Sequence, residues 1–153
     1  KIGYYDQHFS ETLPKHINGV QYLQQLNPDL DLTSAHKYLS FFGLEPQFHS
    51  VLIGDLSGGQ RSRCKISSFA ITCPHILILD EVSNHLDLET IQSLIDALNN
   101  FSGAVVLVTH HFDLITQLQA DLYLVENKTL NKYPYDYEDY VESMTDEEST
   151  DST

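Results

Sequence analysis

The stretch Ile76-Leu77-Ile78-Leu79-Asp80-Glu81 decides the fold class, because four apolar residues run without interruption into two adjacent carboxylates. A short, continuous apolar run is typical of a strand that is buried on both faces of a parallel sheet. Val105-Val106-Leu107-Val108 is a second such run, and the segment between the two keeps one apolar helical face that stops at Gly103. The pattern predicts a β–α–β unit and therefore an α/β protein with a parallel sheet.

The residues before this unit predict a strand followed by a mainly helical region. The strand is expected from Lys1 to Tyr5. Apolar residues at helical spacing follow in two segments, from Val20 to Leu26 and from Ala35 to Phe42. Pro28 lies between the two predicted helices, and Gly43 ends the second.

The residues after the unit predict a hairpin and then a helix. Leu122 to Val125 and Leu130 to Tyr133 are joined through Asn127-Lys128, which predicts a hairpin at the edge of the sheet. A cluster of tyrosines begins there, formed by Tyr133, Tyr135, Tyr137 and Tyr140. These rings could stack on nucleic-acid bases, but the acidic residues between them would repel a phosphate backbone. We therefore expect a C-terminal helix that packs its rings on the domain.

Length and charge restrict the class of protein. With 153 residues the chain is expected to hold one domain, and with 22 acidic against 8 basic residues it does not resemble a free-standing phosphate-backbone binder. Eight of the acids and no Lys or Arg lie in residues 134–153. We predict a domain over residues 1–144 and an acidic, disordered tail over residues 145–153.

The cysteines and the hydropathy indicate the compartment. Cys64 and Cys73 cannot form a disulfide framework and lack the spacing of a zinc site, so we expect a reducing, cytoplasmic setting with both thiols in the core. No apolar run approaches the roughly 18 residues that a membrane span requires, and no signal peptide is recognisable. Because the chain begins at Lys1 within a predicted strand, we expect that a longer parent protein carries it.

Leu56-Ser57-Gly58-Gly59-Gln60 opens a helix that could face a phosphate. Two glycines allow the backbone to approach an anion closely, and the free N–H groups of a helix start favour negative charge. The alternative is an ordinary helix capped by Ser57. Three cations follow in the first turns, Arg61, Arg63 and Lys65, and a solvated helix face is the preferred interpretation over an RNA contact.

Asp80 and Glu81 stand where an open α/β sheet binds its ligands, beyond the carboxyl end of a strand. Phosphoryl transfer at such a place needs a carboxylate for Mg²⁺ and a group that activates the attacking water. Asp80 suits the first role and Glu81 the second; the alternative is a solvent-facing strand end. His110 follows the next strand and could donate to a terminal phosphate oxygen, unless it is a solvated loop residue. Gln7 ends another predicted strand and offers an amide oxygen to a metal or a water.

Together these residues resemble the nucleotide-binding domain of the ABC ATPase superfamily. Leu56 to Gln60 matches the signature motif, Ile76 to Glu81 resembles Walker B with its catalytic Glu, His110 resembles the switch His and Gln7 the Q-loop Gln. The D-loop stretch Asn84-His85-Leu86-Asp87 is most similar to that of the ABC-F proteins, soluble twin-domain members that act on ribosomes. Within that group, the chain is most similar to the C-terminal part of the second domain.

The resemblance implies a RecA-like parallel-sheet core with an inserted helical subdomain over residues 8–56 and the remainder of the core over residues 57–144. It implies ATP and Mg²⁺ as cofactors and a second such domain of the same parent chain as partner. Glu81 and His110 would be catalytic, and Asp80 with Gln7 would serve the Mg²⁺. The nucleotide-binding residues implied are Ser57, Gly58, Gly59, Gln60 and, for communication between the two sites, Asp87.

Three departures from the family pattern matter. The phosphate-binding loop G-x-x-x-x-G-K-S/T (Walker A) is absent from the chain, so we expect the isolated chain to be inactive. Val82 and Ser83 stand where the family usually has Pro-Thr, and His111 where it usually has Asp. Two alternatives to an ABC-F ATPase therefore remain, the ATPase subunit of an ABC membrane transporter and a catalytically silent ABC-like binding module.

Overall fold

The computed structural model describes residues 1–84 and 86–142. The predicted acidic tail over residues 145–153, the predicted domain limit at residue 144 and the D-loop residue His85 lie outside the described residues. The chain divides into two compact units, the first from Lys1 to His111 and the second from Phe112 onwards. The domain limits derived from the sequence stay a prediction.

The first unit is built on a three-stranded parallel sheet. Its strands are β1 (Ile2–Asp6), β2 (Ile76–Asp80) and β3 (Ala104–Val108), in the order β1-β2-β3. The strands pair in register, so that Asp6, Asp80 and Val108 form one row across the sheet. The parallel sheet and the β–α–β unit predicted from the two apolar runs are confirmed.

Four helices accompany the sheet. They are α1 (Gly19–Leu26), α2 (Leu32–Phe41), α3 (Gly58–Thr72) and α4 (Leu88–Asn99), with single 3₁₀ turns at Phe9–Thr12, Pro46–Phe48 and Ile53–Asp55. Local sequence explains where they begin. Asn18 and Gln21 form a capping box at α1, and the Asp31 carboxylate accepts from the backbone N–H of Ser34 at α2. After α2 the chain reverses at Gly43, whose φ of +82° suits a glycine.

Buried apolar residues hold the first unit together. Leu77 and Leu79 of β2 are fully buried, as are Leu94 of α4 and Ile66 of α3. A cluster of the helical region includes Leu23, Leu39, Leu44 and Ile53, with the Cys64 thiol of α3 among them. Helix α3 packs on α1, α2 and α4 and thereby joins the helical region to the sheet.

The prediction that the strands are buried on both faces is wrong for β3. Val106 and Val108 are about half exposed, and Ile2 and Tyr4 are exposed on β1, at the other edge of the same sheet. In the described part of the first unit, the residues that alternate with them, such as Leu77 and Leu79, are the buried ones. An apolar run predicts two covered faces only where elements pack on both sides, and the described residues leave most of β3 uncovered.

The cysteine prediction holds for one residue of the two. Cys64 is fully buried, and burial raises the pKa of its thiol to about 12, which makes it inert. Cys73 is exposed, because it ends α3 in the left-handed conformation with φ of +39°. A helix end directs that side chain to solvent, which the sequence did not indicate.

The second unit contains helix α5 (Phe112–Gln117), strands β4 (Tyr123–Glu126) and β5 (Thr129–Lys132), and a helical turn over residues 137–142. The predicted hairpin is confirmed, and its turn residues Asn127 and Lys128 have the positive φ of a tight turn. Its predicted position at the edge of the parallel sheet is wrong, since β4 and β5 form a two-stranded sheet of their own. Within the described residues, no helix has the length and apolarity needed to cross a membrane.

Candidate functional site

The carboxyl ends of the three parallel strands meet at one edge of the sheet. Because Asp6, Asp80 and Val108 are paired across the strands, the residues that follow them leave the sheet side by side. Gln7 follows β1, Glu81 follows β2, and Thr109 with His110 follows β3. The structure therefore places all four residues predicted for metal binding and catalysis, Gln7, Asp80, Glu81 and His110, along one edge of the first unit.

Glu81 occupies a sharp turn at this edge. Its φ of +52° is unusual for a residue with a side chain, and its backbone N–H donates to the carbonyl of Val108 at 2.8 Å. Glu81 Oε1 lies 3.3 Å from His110 Nε2. The carboxylate is partly buried, with 23% of the side chain exposed, whereas the imidazole is 95% exposed. The pair thus combines a held carboxylate with an imidazole that is free to turn toward a ligand.

Asp80 is oriented by a residue that the sequence analysis did not select. The hydroxyl of Tyr4 on β1 donates to Asp80 Oδ2 at 2.9 Å, and this hydrogen bond raises the pKa of Tyr4. Strand alternation places Tyr4 and Asp6 on the same face, and Asp6 is paired with Asp80, so the contact follows from the register of the two strands and has no local signal in the sequence. Tyr4 therefore holds one oxygen of the carboxylate that is predicted to serve the metal.

Gln7 is exposed, and its amide nitrogen lies 3.3 Å from His8 Nε2. Within the described residues the amide oxygen accepts no hydrogen bond, so it remains available as a ligand atom. Oxygen donors at the ends of adjacent strands, from Asp80 and Gln7, suit Mg²⁺, which binds one or two protein oxygens and fills its sphere with water and phosphate. No group of three or more His, Cys, Asp or Glu side chains forms a metal site in the described part of the chain. The donors present fit a Mg²⁺ that arrives with a phosphorylated ligand.

The second half of the candidate site is the start of α3. Ser57 and Gln60 form a capping box: Ser57 Oγ accepts from the backbone N–H of Gln60, and Gln60 Oε1 accepts from the backbone N–H of Ser57. The backbone N–H groups of Gly58 and Gly59 make no hydrogen bond to any described residue. Two free donors at a helix start, beside a serine hydroxyl whose proton is uncommitted, form a suitable cradle for an anion.

The two glycines of this cradle have different surroundings. A Cβ on Gly58 would meet no atom within 4 Å, so nothing in the described chain requires glycine there. A Cβ on Gly59 would lie 2.6 Å from Asp87 Oδ2. A side chain at position 59 would therefore require the Asp87 carboxylate to shift, whereas Gly58 leaves open space in front of the helix. The Gly58 side is where a ligand or a second protein surface can approach.

Asp87 caps α4 and pairs with α3. Its Oδ1 accepts from the backbone N–H of Thr90 at 2.7 Å and from Arg63 Nη2 at 3.2 Å. The hydrogen bonds from Thr90 and the Arg63 guanidinium hold the pKa of Asp87 below its usual range. The predicted communication residue thus joins the signature helix to the helix that follows the D-loop.

The prediction of a solvated cationic face on α3 is wrong for Arg63. Only 11% of its side chain is exposed, and it also donates to Thr90 Oγ1, the carbonyl of Gly43 and Glu89. Helix α3 lies among three other helices, so its polar side chains reach neighbours instead of solvent. Arg61 likewise donates to the carbonyl of Leu56, and Lys65 to the hydroxyl of Tyr22.

A hydroxyl pair links the turn after β2 to the turn after β3. Ser83 Oγ and Thr109 Oγ1 are 3.0 Å apart, and Thr109 Oγ1 also accepts from the backbone N–H of His111 at 3.0 Å. Ser83 thus supplies a hydroxyl although it departs from the family pattern. The pair fixes the strand end that carries His110 relative to the strand end that carries Glu81.

The predicted site residues therefore form two groups. One group lies along the sheet edge and contains Gln7, Asp80, Glu81 and His110. The other lies at the starts of α3 and α4 and contains Ser57, Gly58, Gly59, Gln60 and Asp87. Among residues 1–84 and 86–142, no hydrogen bond or ion pair joins a member of one group to a member of the other. The roles assigned to these residues stay predictions.

The fold is that of ATP-binding cassettes. One solved structure, the dimeric ATP-binding cassette MJ0796 in a post-hydrolysis state bound to ADP and Pi, matches with a TM-score of 0.61 at 24% identity and covers 76% of this chain and 55% of that chain. A dimeric structure of the same bacterial ABC transporter cassette matches with a TM-score of 0.62 at 24% identity over the same shares. The predicted fold class is confirmed.

The sequence profile of the family described as ABC transporter matches residues 1–84, more than half of the chain. The chain therefore belongs to the ABC transporter family.

Several curated relatives carry the name of the F group of this family. ABC transporter F family member 4 of Arabidopsis thaliana is 40% identical and is matched by 94% of this chain over 21% of its own length. ATP-binding cassette sub-family F member 2 of Mus musculus is 37% identical, at 97% of this chain and 24% of its own length. Protein GCN20 of Saccharomyces cerevisiae is 32% identical, at 95% and 20%. The predicted resemblance to ABC-F proteins is confirmed, and the chain spans only about a fifth to a quarter of these relatives.

Proposed function

We propose that this chain belongs to an ABC-F protein that binds and hydrolyses ATP and acts on ribosomes during translation in the cytoplasm. The observation that carries the enzymatic part is the row of strand ends that places Gln7, Asp80, Glu81 and His110 along one edge, with Glu81 and His110 in contact. The names of the relatives support the assignment to the F group, and the assignment to ribosomes follows from the resemblance to that group.

Each residue at the sheet edge has its own proposed role in the reaction. Asp80 and Gln7 would supply oxygen ligands to Mg²⁺, and the metal would neutralise charge on the phosphates of bound ATP. Glu81 would accept a proton from the attacking water, for which its partly buried carboxylate is held by the turn after β2. The exposed imidazole of His110 would turn from Glu81 to donate to the terminal phosphate.

The start of α3 would act on a different nucleotide. Gly58 N–H, Gly59 N–H and the Ser57 hydroxyl form an anion cradle whose open side faces away from the packed helices. We propose that this cradle contacts the terminal phosphate of an ATP held by the second nucleotide-binding domain of the same parent chain. Gln60 would hold the cradle in its conformation through the capping box. Asp87 would couple a movement of α3 to α4, because it bonds to Arg63 of α3 and to Thr90 of α4.

The isolated 153-residue chain is proposed to be inactive, because it contains no G-x-x-x-x-G-K-S/T sequence to hold the phosphates. The function is therefore tested on the full-length protein. Phosphate release and co-sedimentation with purified ribosomes are measured with ATP, with a non-hydrolysable ATP analogue and with ADP. We expect hydrolysis and ribosome binding that is strongest with the analogue. Co-purification with a membrane protein in place of ribosomes would support a transporter ATPase, and absence of both hydrolysis and ATP binding would support a silent binding module.

Tyr4 provides a further test of the metal role of Asp80. Tyr4→Phe removes the hydroxyl that holds Asp80 Oδ2 and keeps the ring. In the full-length protein we expect the Mg²⁺ concentration that gives half-maximal ATPase activity to rise about two- to tenfold, which corresponds to the roughly 0.5–1.5 kcal/mol of a typical hydrogen bond. The maximal rate at saturating Mg²⁺ should change little, as expected for a residue that positions a ligand.

The matched control is Tyr5→Phe on the same strand, because the Tyr5 ring packs on Phe69 and no hydrogen bond of its hydroxyl occurs within the described residues. An unchanged Mg²⁺ dependence in Tyr4→Phe would remove Tyr4 from the metal site. An equal fall of activity at every Mg²⁺ concentration would indicate a structural role.

A further inference from the structure

The second unit contains a cleft that the proposed ATPase function does not use. Its volume is about 510 Å³, within the range of ligand-binding pockets. Tyr133, Tyr135 and Tyr137 line it, and the carboxylates of Asp136 and Glu138 alternate with these rings along the chain. A cleft lined by aromatic rings and carboxylates has a definite electrostatic preference, since both groups attract a cation.

Ring packing within the unit holds the tyrosines in place. Tyr133 makes edge-to-face contacts with Tyr135 and Tyr140 at centroid distances of 5.8 and 5.5 Å, and Tyr137 lies 6.0 Å from the ring of Phe112. Tyr135 nevertheless remains 66% exposed. The rings are thus partly fixed by their neighbours while at least one of them keeps an accessible surface, so a flat cation can stack without a large rearrangement.

The charges around the cleft are strongly one-sided. Residues 112–142 contain seven acidic side chains and two lysines. One of these, Lys132, lines the cleft but is paired with Asp121 at 2.9 Å, which raises its pKa. Asp136 uses one oxygen to accept from the backbone N–H of Asp139, and Glu138 has no hydrogen bond or ion pair with any described residue. At least one carboxylate of the cleft therefore lacks a cation.

We propose that this cleft binds an arginine side chain of a basic polypeptide. The planar guanidinium can stack on a tyrosine face and donate to a carboxylate at the same time, which an ammonium group does less well. A nucleic acid is disfavoured, because the carboxylates that alternate with the rings would repel its phosphates. The proposal does not depend on ATP hydrolysis at the first unit.

The test uses the full-length protein and two blocked peptides, Gly-Arg-Gly-Arg-Gly and the same sequence with citrulline, the neutral isostere, in place of arginine. Calorimetric titration at low salt should show submillimolar binding of the arginine peptide, at least about tenfold weaker binding of the citrulline peptide, and loss of affinity with added salt. No binding of oligouridine is expected under the same conditions.

Variants locate the site. Tyr135→Leu should weaken arginine-peptide binding about tenfold and Tyr135→Phe should retain it, since phenylalanine keeps the aromatic face. Glu138→Gln should weaken binding about fivefold, whereas the control Glu126→Gln, an exposed acid of β4 outside the cleft, should not. Tyr135 and Glu138 are both exposed, so we expect the variants at these positions to fold. Equal binding of the two peptides, unchanged binding in Tyr135→Leu and Glu138→Gln, or preferential binding of oligouridine would each overturn the proposal.

Discussion

Glu81→Gln is expected to lower ATP turnover of the full-length protein by at least about 100-fold while ATP affinity is preserved. The amide keeps the shape of the side chain and removes the carboxylate that is proposed to accept a proton from water, and a positioned general base typically contributes 10² to 10⁴ in rate. The turn that carries residue 81 depends on the backbone hydrogen bond to Val108, which the substitution leaves intact. Phosphate release and nucleotide binding, measured side by side, separate the two effects.

In cells, the Glu81→Gln protein should accumulate on ribosomes, because under the proposed function the ATP-bound protein binds ribosomes and hydrolysis ends that binding. Glu45→Gln is a suitable control, since Glu45 is an exposed acid in the helical region whose carboxylate accepts a hydrogen bond from Gln47. If Glu81→Gln hydrolysed ATP at the normal rate, Glu81 would not be the residue that activates water.

Substitutions at the start of α3 are expected to act on the opposite nucleotide site. Ser57→Arg places a long side chain in front of the Gly58 and Gly59 N–H groups and should lower turnover at the site held by the partner domain at least about 100-fold, the effect of losing oriented donors to a developing charge. ATP binding at the phosphate loop of the domain that contains this chain should be retained. Combining Ser57→Arg with a phosphate-loop knockout in each domain allows turnover to be measured site by site.

Gly58→Ala tests the same cradle as Ser57→Arg without removing the helix cap. Ser57→Arg also removes a helix cap, which costs about 1 kcal/mol of stability. A Cβ on Gly58 meets no atom of the described chain within 4 Å, so Gly58→Ala should leave the fold intact. Any loss of turnover in Gly58→Ala would then come from a clash between the new methyl group and a surface outside this chain. Loss confined to the site of this chain's own domain would show that the cradle acts in cis.

The sequence was sufficient for features that depend on local pattern. The uninterrupted apolar run that ends in Asp80 and Glu81 predicted a parallel strand and the place where it ends, because both are expressed in consecutive residues. The run from Leu56 to Gln60 predicted a helix start, and the capping box found there is likewise local, since it joins residues three positions apart. The hairpin through Asn127 and Lys128 was predicted for the same reason.

Features that depend on distant neighbours were not predictable in this way. Arg63 resembled an exposed helical cation, yet it bonds to residues 20 to 27 positions away along the chain. Tyr4 and Asp80 are 76 positions apart and meet only through strand pairing. The exposure of Val106 depends on which elements cover the sheet. An apolar run in the sequence does not show which elements pack on the strand.

The bonds between α3 and the start of α4 have a mechanical consequence. Arg63 of α3 donates to both Asp87 and Glu89 at the start of α4. We therefore expect the start of α3 and the start of α4 to move as one body. Under the proposed function, a phosphate that displaces the anion cradle would also shift the D-loop end of α4.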